Sequence, residues 1–294
     1  CRMERRNKEI VFLQGGLGNQ MFQYAFYLAK KHTNMDAVYD TGLLRLYRQH
    51  NGYELEHLFD ITSKVSLINL LLLWLLKKKK FISKVLKPWM SLLTDSIPSM
   101  FVPSYLNLHK GLTFYYGYWQ TEKYFFDVKD EILKTFSFDK SLLSKQSILF
   151  MNQIKRTNSV AVHVRRGDYL NKNNKKVYGG ICTIVYYEKA IQKILDLIDS
   201  PTFFIFSNEI EWVEKNMYIP NAVYVCCNHK SDSWQDMFLM SQCKHNIIAN
   251  SSFSWWGAWL NQNSNKIVIS PSKFMNLGSS IDLVPETWIK IKID

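Results

Sequence analysis

His163, Arg165, Arg166 and Asp168 stand together in VAVHVRRGDYL, residues 160–170, where a β-branched apolar run stops at three charges in four positions. Val160, Val162 and Val164 read as a buried strand. Two arginines at the tip of such a strand can hold phosphate oxygens through forked, charge-assisted hydrogen bonds. In an open parallel sheet, ligands sit beyond the carboxyl ends of the strands. Neighbouring residues of an extended chain point to opposite sides, so one arginine is expected to face a ligand and the other to serve the fold. Asp168 can orient an arginine or contact a ligand hydroxyl. A surface salt-bridge cluster is the competing reading. Gly167 and the abrupt change from buried to charged favour a site.

Three further stretches carry candidate chemistry. In NSSFSWWGAWL, residues 250–260, a strand delivers Asn250, Ser251 and Ser252, followed by Phe253, to a helix start. Serine there is an ordinary N-cap, and the same geometry also suits a diphosphate seated on the helix N-terminus. Trp255, Trp256 and Trp259 fit a core better than a sugar platform. In GGLGNQ, residues 15–20, glycines between a strand and a helix let the backbone approach an anion, with Asn19 a short amide aimed from the loop. The third glycine of a dinucleotide fingerprint and the Walker lysine are both missing, so a tight turn is the competing reading. Asp236, in SWQDMFLMS, could accept the N1–H and exocyclic amine of guanine, or could be a solvated helical acid. No Asp-x-Asp, G-x-S-x-G, H-E-x-x-H or P-loop occurs. No metal site is therefore expected, and arginines with a helix N-terminus are left to carry any leaving-group charge.

The elements that must position these residues follow from periodicity. Residues 8–31 read as strand, glycine turn and helix, with Met21, Tyr24, Ala25 and Leu28 at helical spacing. Residues 36–120 resist assignment. From about 159 the pattern alternates: strand 160–164, a polar loop NKNNKKVYGG, a helix with Tyr187, Ile191, Ile194, Leu195 and Ile198 on one face, then strand and helix in turn to KIVIS. Alternation of this kind predicts a parallel sheet with covering helices, hence an α/β fold with a loose boundary near residue 150.

The chain has 294 residues, 47% hydrophobic and 21% charged, which suits one large domain or two medium ones and excludes a disordered composition. Its formal net charge of +12 predicts an acidic partner: nucleic acid, a membrane surface or a phosphorylated small molecule. No nucleic-acid module accompanies the charge, so nucleic acid is set aside. The five cysteines include no Cys-x-x-Cys, which argues against a disulfide framework or zinc and for a reducing compartment. The opening CRMERRNKEI has no apolar core, so no signal peptide is expected, and Met3 lies nearer the expected start than Cys1. Leu67–Leu76 is too short to span a bilayer. With Lys77–Lys80, Lys84 and Lys87 beyond it, residues 67–93 suit either a helix on anionic lipid or a helix packed in the fold with a solvated basic end.

GGLGNQMFQYA, GYWQTEKYF at 117–125, HVRRGDYL and NSSFSWWGAWL, in this order, resemble the bacterial α-1,2-fucosyltransferases across nearly the whole chain; the match is weakest over about 40–110. The resemblance implies an α/β, GT-B-like enzyme with two Rossmann-type lobes and a central donor cleft. An acceptor-side lobe over 8–150 and a GDP-fucose-binding lobe over 151–294 follow. It implies inverting, metal-independent transfer from GDP-β-L-fucose, a substrate rather than a cofactor, to the 2-hydroxyl of a galactose in an oligosaccharide or lipid-linked glycan. Arg165 and Asp168 would be catalytic. His163, Arg166, Asp236, Asn250, Ser251, Ser252, Phe253, Gly18 and Asn19 would bind the donor. The general base stays open between Asp168, Glu122 and Glu188; the acid that related fucosyltransferases place past the arginine motif has no counterpart in YLNKNNKK. The setting implied is the bacterial cytoplasm, at the inner face of the membrane. A transferase for another nucleotide sugar and a non-catalytic carbohydrate-binding or membrane-peripheral module are the competing functions.

Overall fold

The computed structural model describes residues 7–47, 50–78, 89–95, 99–107, 111–276 and 281–293. The chain forms two compact units, Cys1–Phe138 and Asp139–Asp294. The helix Lys145–Arg156, which crosses position 150, belongs to the second.

The first unit is built on a parallel sheet of β1 (Lys8–Phe12), β2 (Ala37–Asp40), β3 (Met90–Thr94) and β4 (Leu112–Tyr116), in the order β2-β1-β4-β3. Ile10, Val11 and Phe12 are fully buried, as a parallel sheet covered on both faces requires. The helix Leu17–Thr33 crosses from β1 to β2. Inside it Lys30 pairs with Glu9 at 2.7 Å, both side chains fully buried. Tyr115 donates to Glu9 at 2.8 Å, and Lys30 donates to the carbonyls of Tyr105 and Leu106, so the buried charges are also hydrogen-bonded. Burial lowers the Lys30 ammonium pKa, and the bond to Glu9 opposes that shift. Three of the sheet's strands lie in the stretch that resisted sequence assignment. They are short, and their partners are distant in sequence.

The helix Leu67–Lys78 packs one side into the fold, as the second expectation had it. Leu73 and Leu76 pack into the core with Ile10, Phe12, Leu43 and Phe114. Leu67, Ile68, Leu71 and Trp74 are 79%, 71%, 57% and 50% exposed, leaving an apolar stripe outside. The Lys77 ammonium sits 3.7 Å over the Tyr116 ring. Lys79, Lys80, Lys84 and Lys87, like Cys1 and Met3, lie outside the described residues. Among the described residues no helix is long and apolar enough to cross a membrane.

The second unit carries a six-stranded parallel sheet in the order β10-β9-β8-β5-β6-β7. Its strands are β5 (Asn158–Val164), β6 (Pro201–Ser207), β7 (Ala222–Val225), β8 (His245–Ile247), β9 (Val268–Pro271) and β10 (Ile289–Ile291). From β5 the chain steps outward through β6 and β7, then returns to the other side of β5 with β8, β9 and β10. That is the dinucleotide-fold order, and its direction reverses between β5 and β8. Two local expectations are corrected. The polar stretch NKNNKKVYGG holds a helix, Lys172–Tyr178, ended at Gly179 and Gly180; its polar residues form a solvated face, which resembles a loop by composition alone. On the helix Ile184–Leu195, Leu195 is 39% exposed, and Tyr186 and Ala190 complete the buried face instead.

Candidate active site

The crevice outside the carboxyl ends of β5 and β8 is where an open sheet of this order binds ligands. HVRRGDYL leaves β5 there, and NSSF leaves β8 there. The two motifs are bonded together: the Tyr169 hydroxyl donates to the Asn250 carbonyl at 2.9 Å, and the His163 and Phe253 rings lie 5.9 Å apart. His163 is buried, its carbonyl accepts from the Tyr187 hydroxyl at 2.9 Å, and its Nδ1 has no hydrogen-bond partner among the described residues. Burial, then the Arg165 charge, lowers its pKa to about 3, so the ring is neutral at physiological pH.

The adjacent arginines divide. Arg166 Nε donates to Glu209 at 2.9 Å, and its guanidinium stacks 3.4 Å above the Trp212 ring. Arg165 lies half-buried with its guanidinium 5.6 Å from the Tyr169 ring. The turn that follows them is locked by the two residues just past β6. Gly167 N–H donates to the second Glu209 oxygen at 2.9 Å, and Arg166 N–H donates to Asn208 at 3.2 Å. Gly167 has φ +44°, and a Cβ there would collide with the Asn208 amide, so glycine is required. Asn208 and Glu209 were missed in the sequence. The signal available was polar residues at the tip of the next strand, in FSNE. Asp168 is placed in the 3-10 turn Gly167–Leu170 by its backbone; its side chain lies outside the described residues.

Ser251 caps the helix Ser252–Trp259 by accepting from Phe253 N–H at 3.3 Å, as an ordinary N-cap does. Ser252 and Phe253 are half-buried at the helix start. Asn250 is committed to the scaffold: its amide donates to the carbonyls of Tyr178 and Phe274, both at 3.1 Å. Trp255, Trp256 and Trp259 are core, and Trp255 Nε1 donates to the Leu283 carbonyl at 2.8 Å. Asp236 sits in the first turn of Trp234–Gln242, beyond the end of β7. Asn228 donates to it at 2.8 Å, and burial raises its carboxyl pKa to about 7.

In the first unit, Gly15 has φ +79° and the loop leads into the helix at Gly16. The free helix start expected there is partly closed, because the Glu54 carboxylate accepts from Leu17 N–H while Asn19 and Gln20 N–H donate to the Gly16 carbonyl. Gly18 is buried, and the Asn19 side-chain oxygen Oδ1 accepts from the Gln120 amide at 2.8 Å. Gln23 donates to the Gly117 carbonyl at 3.0 Å. GGLGNQMFQYA and GYWQTEKYF are thus one structure, as are HVRRGDYL and NSSFSWWGAWL in the other unit. Of the remaining base candidates, Glu122 is half-buried in the turn Glu122–Tyr124, and Glu188 is exposed on the helix Ile184–Leu195. Among the described residues no cluster of His, Cys, Asp and Glu could hold a metal ion.

Two α/β units, each on a parallel sheet, are the parts of a GT-B-like fold. The fold recurs in the crystal structure of NodZ alpha-1,6-fucosyltransferase soaked with GDP-fucose, with a TM-score of 0.52 at 13% identity over 87% of this chain and 92% of that one. The chain belongs to glycosyl transferase family 11, whose profile matches residues 3–291. It is 34% identical over 292 residues to an alpha-1,2-colitosyltransferase of Escherichia coli, covering 96% of this chain and 98% of the relative. It is 32% identical over 305 residues to the O-antigen biosynthesis glycosyltransferase WbnK of Escherichia coli, covering 95% and 99%. Human galactoside alpha-(1,2)-fucosyltransferase 1 matches at 28% identity over 145 residues, 47% of this chain and 40% of the human protein.

Proposed function

We propose that this glycosyltransferase moves L-fucose from GDP-β-L-fucose to the 2-hydroxyl of a galactose in a glycan, with inversion and without a metal ion or cofactor. The observation that carries the reading is the junction of His163 and Phe253 beside the capped helix start at the β5–β8 crevice. As the fucosyl bond breaks, the sugar becomes oxocarbenium-like and negative charge grows on the phosphate. Arg165 stabilises that charge, a division of labour supported by the engagement of Arg166 with Glu209 and Trp212. Arg166 acts on the donor through the turn it braces. Asp168 orients Arg165 or meets a sugar hydroxyl. Ser251, Ser252 and Phe253 present a helix N-terminus to the diphosphate, with Asn250 holding that loop in place. His163 and Asp236 contact the guanine, and Gly18 and Asn19 form a loop on the fucose and diphosphate side. The first unit takes the acceptor and the second takes the donor.

A second reading, colitosyl rather than fucosyl transfer, is supported by the 34% identical relative. The glycan is a galactose-ended oligosaccharide or a lipid-linked one, met in the bacterial cytoplasm at the inner face of an anionic membrane. The test is GDP release from GDP-fucose in EDTA on adding lactose, with linkage analysis of the product. An α-1,2-fucosylated galactose supports the reading. Turnover confined to a colitosyl donor selects the second reading, and strict dependence on magnesium or manganese removes the metal-free mechanism.

A further inference from the structure

Asp236 is held by partners from elsewhere in the second unit. It stands in the first turn of the helix Trp234–Gln242, and Asn228 lies just past the carboxyl end of β7. Asn228 Nδ2 donates to Asp236 Oδ1 at 2.8 Å, and Asn228 Oδ1 accepts from the Ser147 hydroxyl at 3.2 Å. Ser147 lies in the first turn of the helix Lys145–Arg156. Ser144, the cap of that helix, donates its backbone N–H to Gln235 Oε1 at 2.9 Å. Ser147, Asn228 and Gln235 are buried, whereas Asp236 is half-buried. Two helix starts and a strand end thus converge on one carboxylate.

This relay of hydrogen bonds has one sense. An ionised carboxylate only accepts, so the amide nitrogen of Asn228 must face it. The amide oxygen then turns to Ser147, whose hydroxyl must donate. Rotating the amide would leave buried polar atoms unpaired. The Asn228 bond also opposes the rise in pKa that burial imposes on Asp236, which favours the ionised form. A carboxylate has about four acceptor positions, and Asn228 takes one, which leaves room for two donors on the edge of a base.

We propose that Asn228, set by Ser147, is a positioning residue that aims the Asp236 carboxylate at the exocyclic amine of guanine and so creates a preference for guanine over hypoxanthine nucleotides. The proposal rests on the reading of Asp236 as the guanine contact. Guanine presents N1–H and the 2-amino group as adjacent donors, and hypoxanthine keeps N1–H alone. A carboxylate held in the plane of the base gains the second charge-assisted bond only with guanine. A carboxylate free to rotate loses that discrimination while still meeting N1–H.

The test compares GDP and IDP binding by calorimetry in wild type, Asp236→Asn, Asn228→Ala and Ser147→Ala. Wild type should prefer GDP by about 10-fold or more, and Asp236→Asn should bring the ratio near one. Asn228→Ala should lower the ratio about fivefold with IDP affinity held within about threefold, and Ser147→Ala should lower it about twofold. A wild-type ratio in Asn228→Ala, with the ratio lost in Asp236→Asn, would show that Asp236 reads the base unaided and overturns the proposal. Equal weakening of both nucleotides would show general damage to the pocket and also overturn it. Where Asn228→Ala does not fold, Ser147→Ala, which removes one buried hydroxyl, decides by the same two criteria. Equal GDP and IDP binding by wild type overturns the guanine contact at Asp236 and the proposal together. Product formation from GDP-fucose reports on the transferase reading separately.

Discussion

Arg165 and Arg166 are chemically identical neighbours with different duties. The Glu209 carboxylate and the Trp212 ring hold Arg166, and the same carboxylate fixes Gly167 N–H. Arg165→Ala is expected to lower kcat/KM for the donor roughly 10²–10³-fold with little change in Tm. Arg166→Ala should instead lower stability by about 1 kcal/mol, the pair being partly solvated. Comparing kinetics with thermal unfolding in both variants checks the division, and a fully active Arg165→Ala protein would refute it. Asp236 and His163 give opposite pH signatures. The Asp236 carboxyl moves from 3.8 to about 7, so between those values the folded chain keeps a proton that the unfolded chain has lost, and this group lowers stability as pH rises. Asp236→Asn should therefore raise the Tm of ligand-free protein at pH 8. If the ionised carboxylate grips guanine, GDP affinity should climb about 10-fold from pH 6 to 8 and lose that slope in the variant. His163 shifts from 6.5 to about 3, so it removes stability as pH falls below 6.5, about 2 kcal/mol by pH 5. Denaturant titrations of His163→Asn against wild type should show that acid-side loss disappear.

At the scale of elements, the second unit was readable because its strands are apolar runs separated by amphipathic helices, as Val160–Val164 and Phe203–Phe206 show. The first unit was readable only over residues 8–31, where β1 and the helix Leu17–Thr33 follow the expected pattern. Its strands β2 and β3 have four and five residues and find their meaning in pairing with β1 and β4 far along the chain. The site was legible as four motifs. Their joints were hidden, because Glu209, Asn208 and Glu54 act across elements and carry no local pattern. The helix Leu67–Lys78 shows the same limit: its composition announces an apolar helix, and packing alone decides which side meets solvent. Its outer stripe predicts lipid contact. Replacing Leu67, Ile68 and Leu71 together by serine should reduce co-sedimentation with vesicles containing phosphatidylglycerol severalfold and leave lactose turnover in solution unchanged. Identical sedimentation of variant and parent would show that the stripe has no lipid role.

For the whole molecule, each unit's parallel sheet has its own crevice, and the two linings differ. The β5–β8 crevice gathers arginine, histidine and a helix start, and the cavity beside β1 in the first unit is walled by leucines and aromatic rings. GDP with EDTA should raise Tm by several degrees, UDP with EDTA should not, and added manganese should make no difference; stabilisation by UDP would redirect the donor assignment.

The bond from Gln120 to Asn19 ties together segments 101 residues apart. Grafting residues 15–30 from another family member without its residues 117–125 would break a match that each parent has tuned. Such half-grafts should fold poorly or lose turnover, whereas transplanting both segments together should restore it. Diversification in this lineage would then proceed by paired exchange at those two places, leaving the second unit's motifs to change on their own schedule.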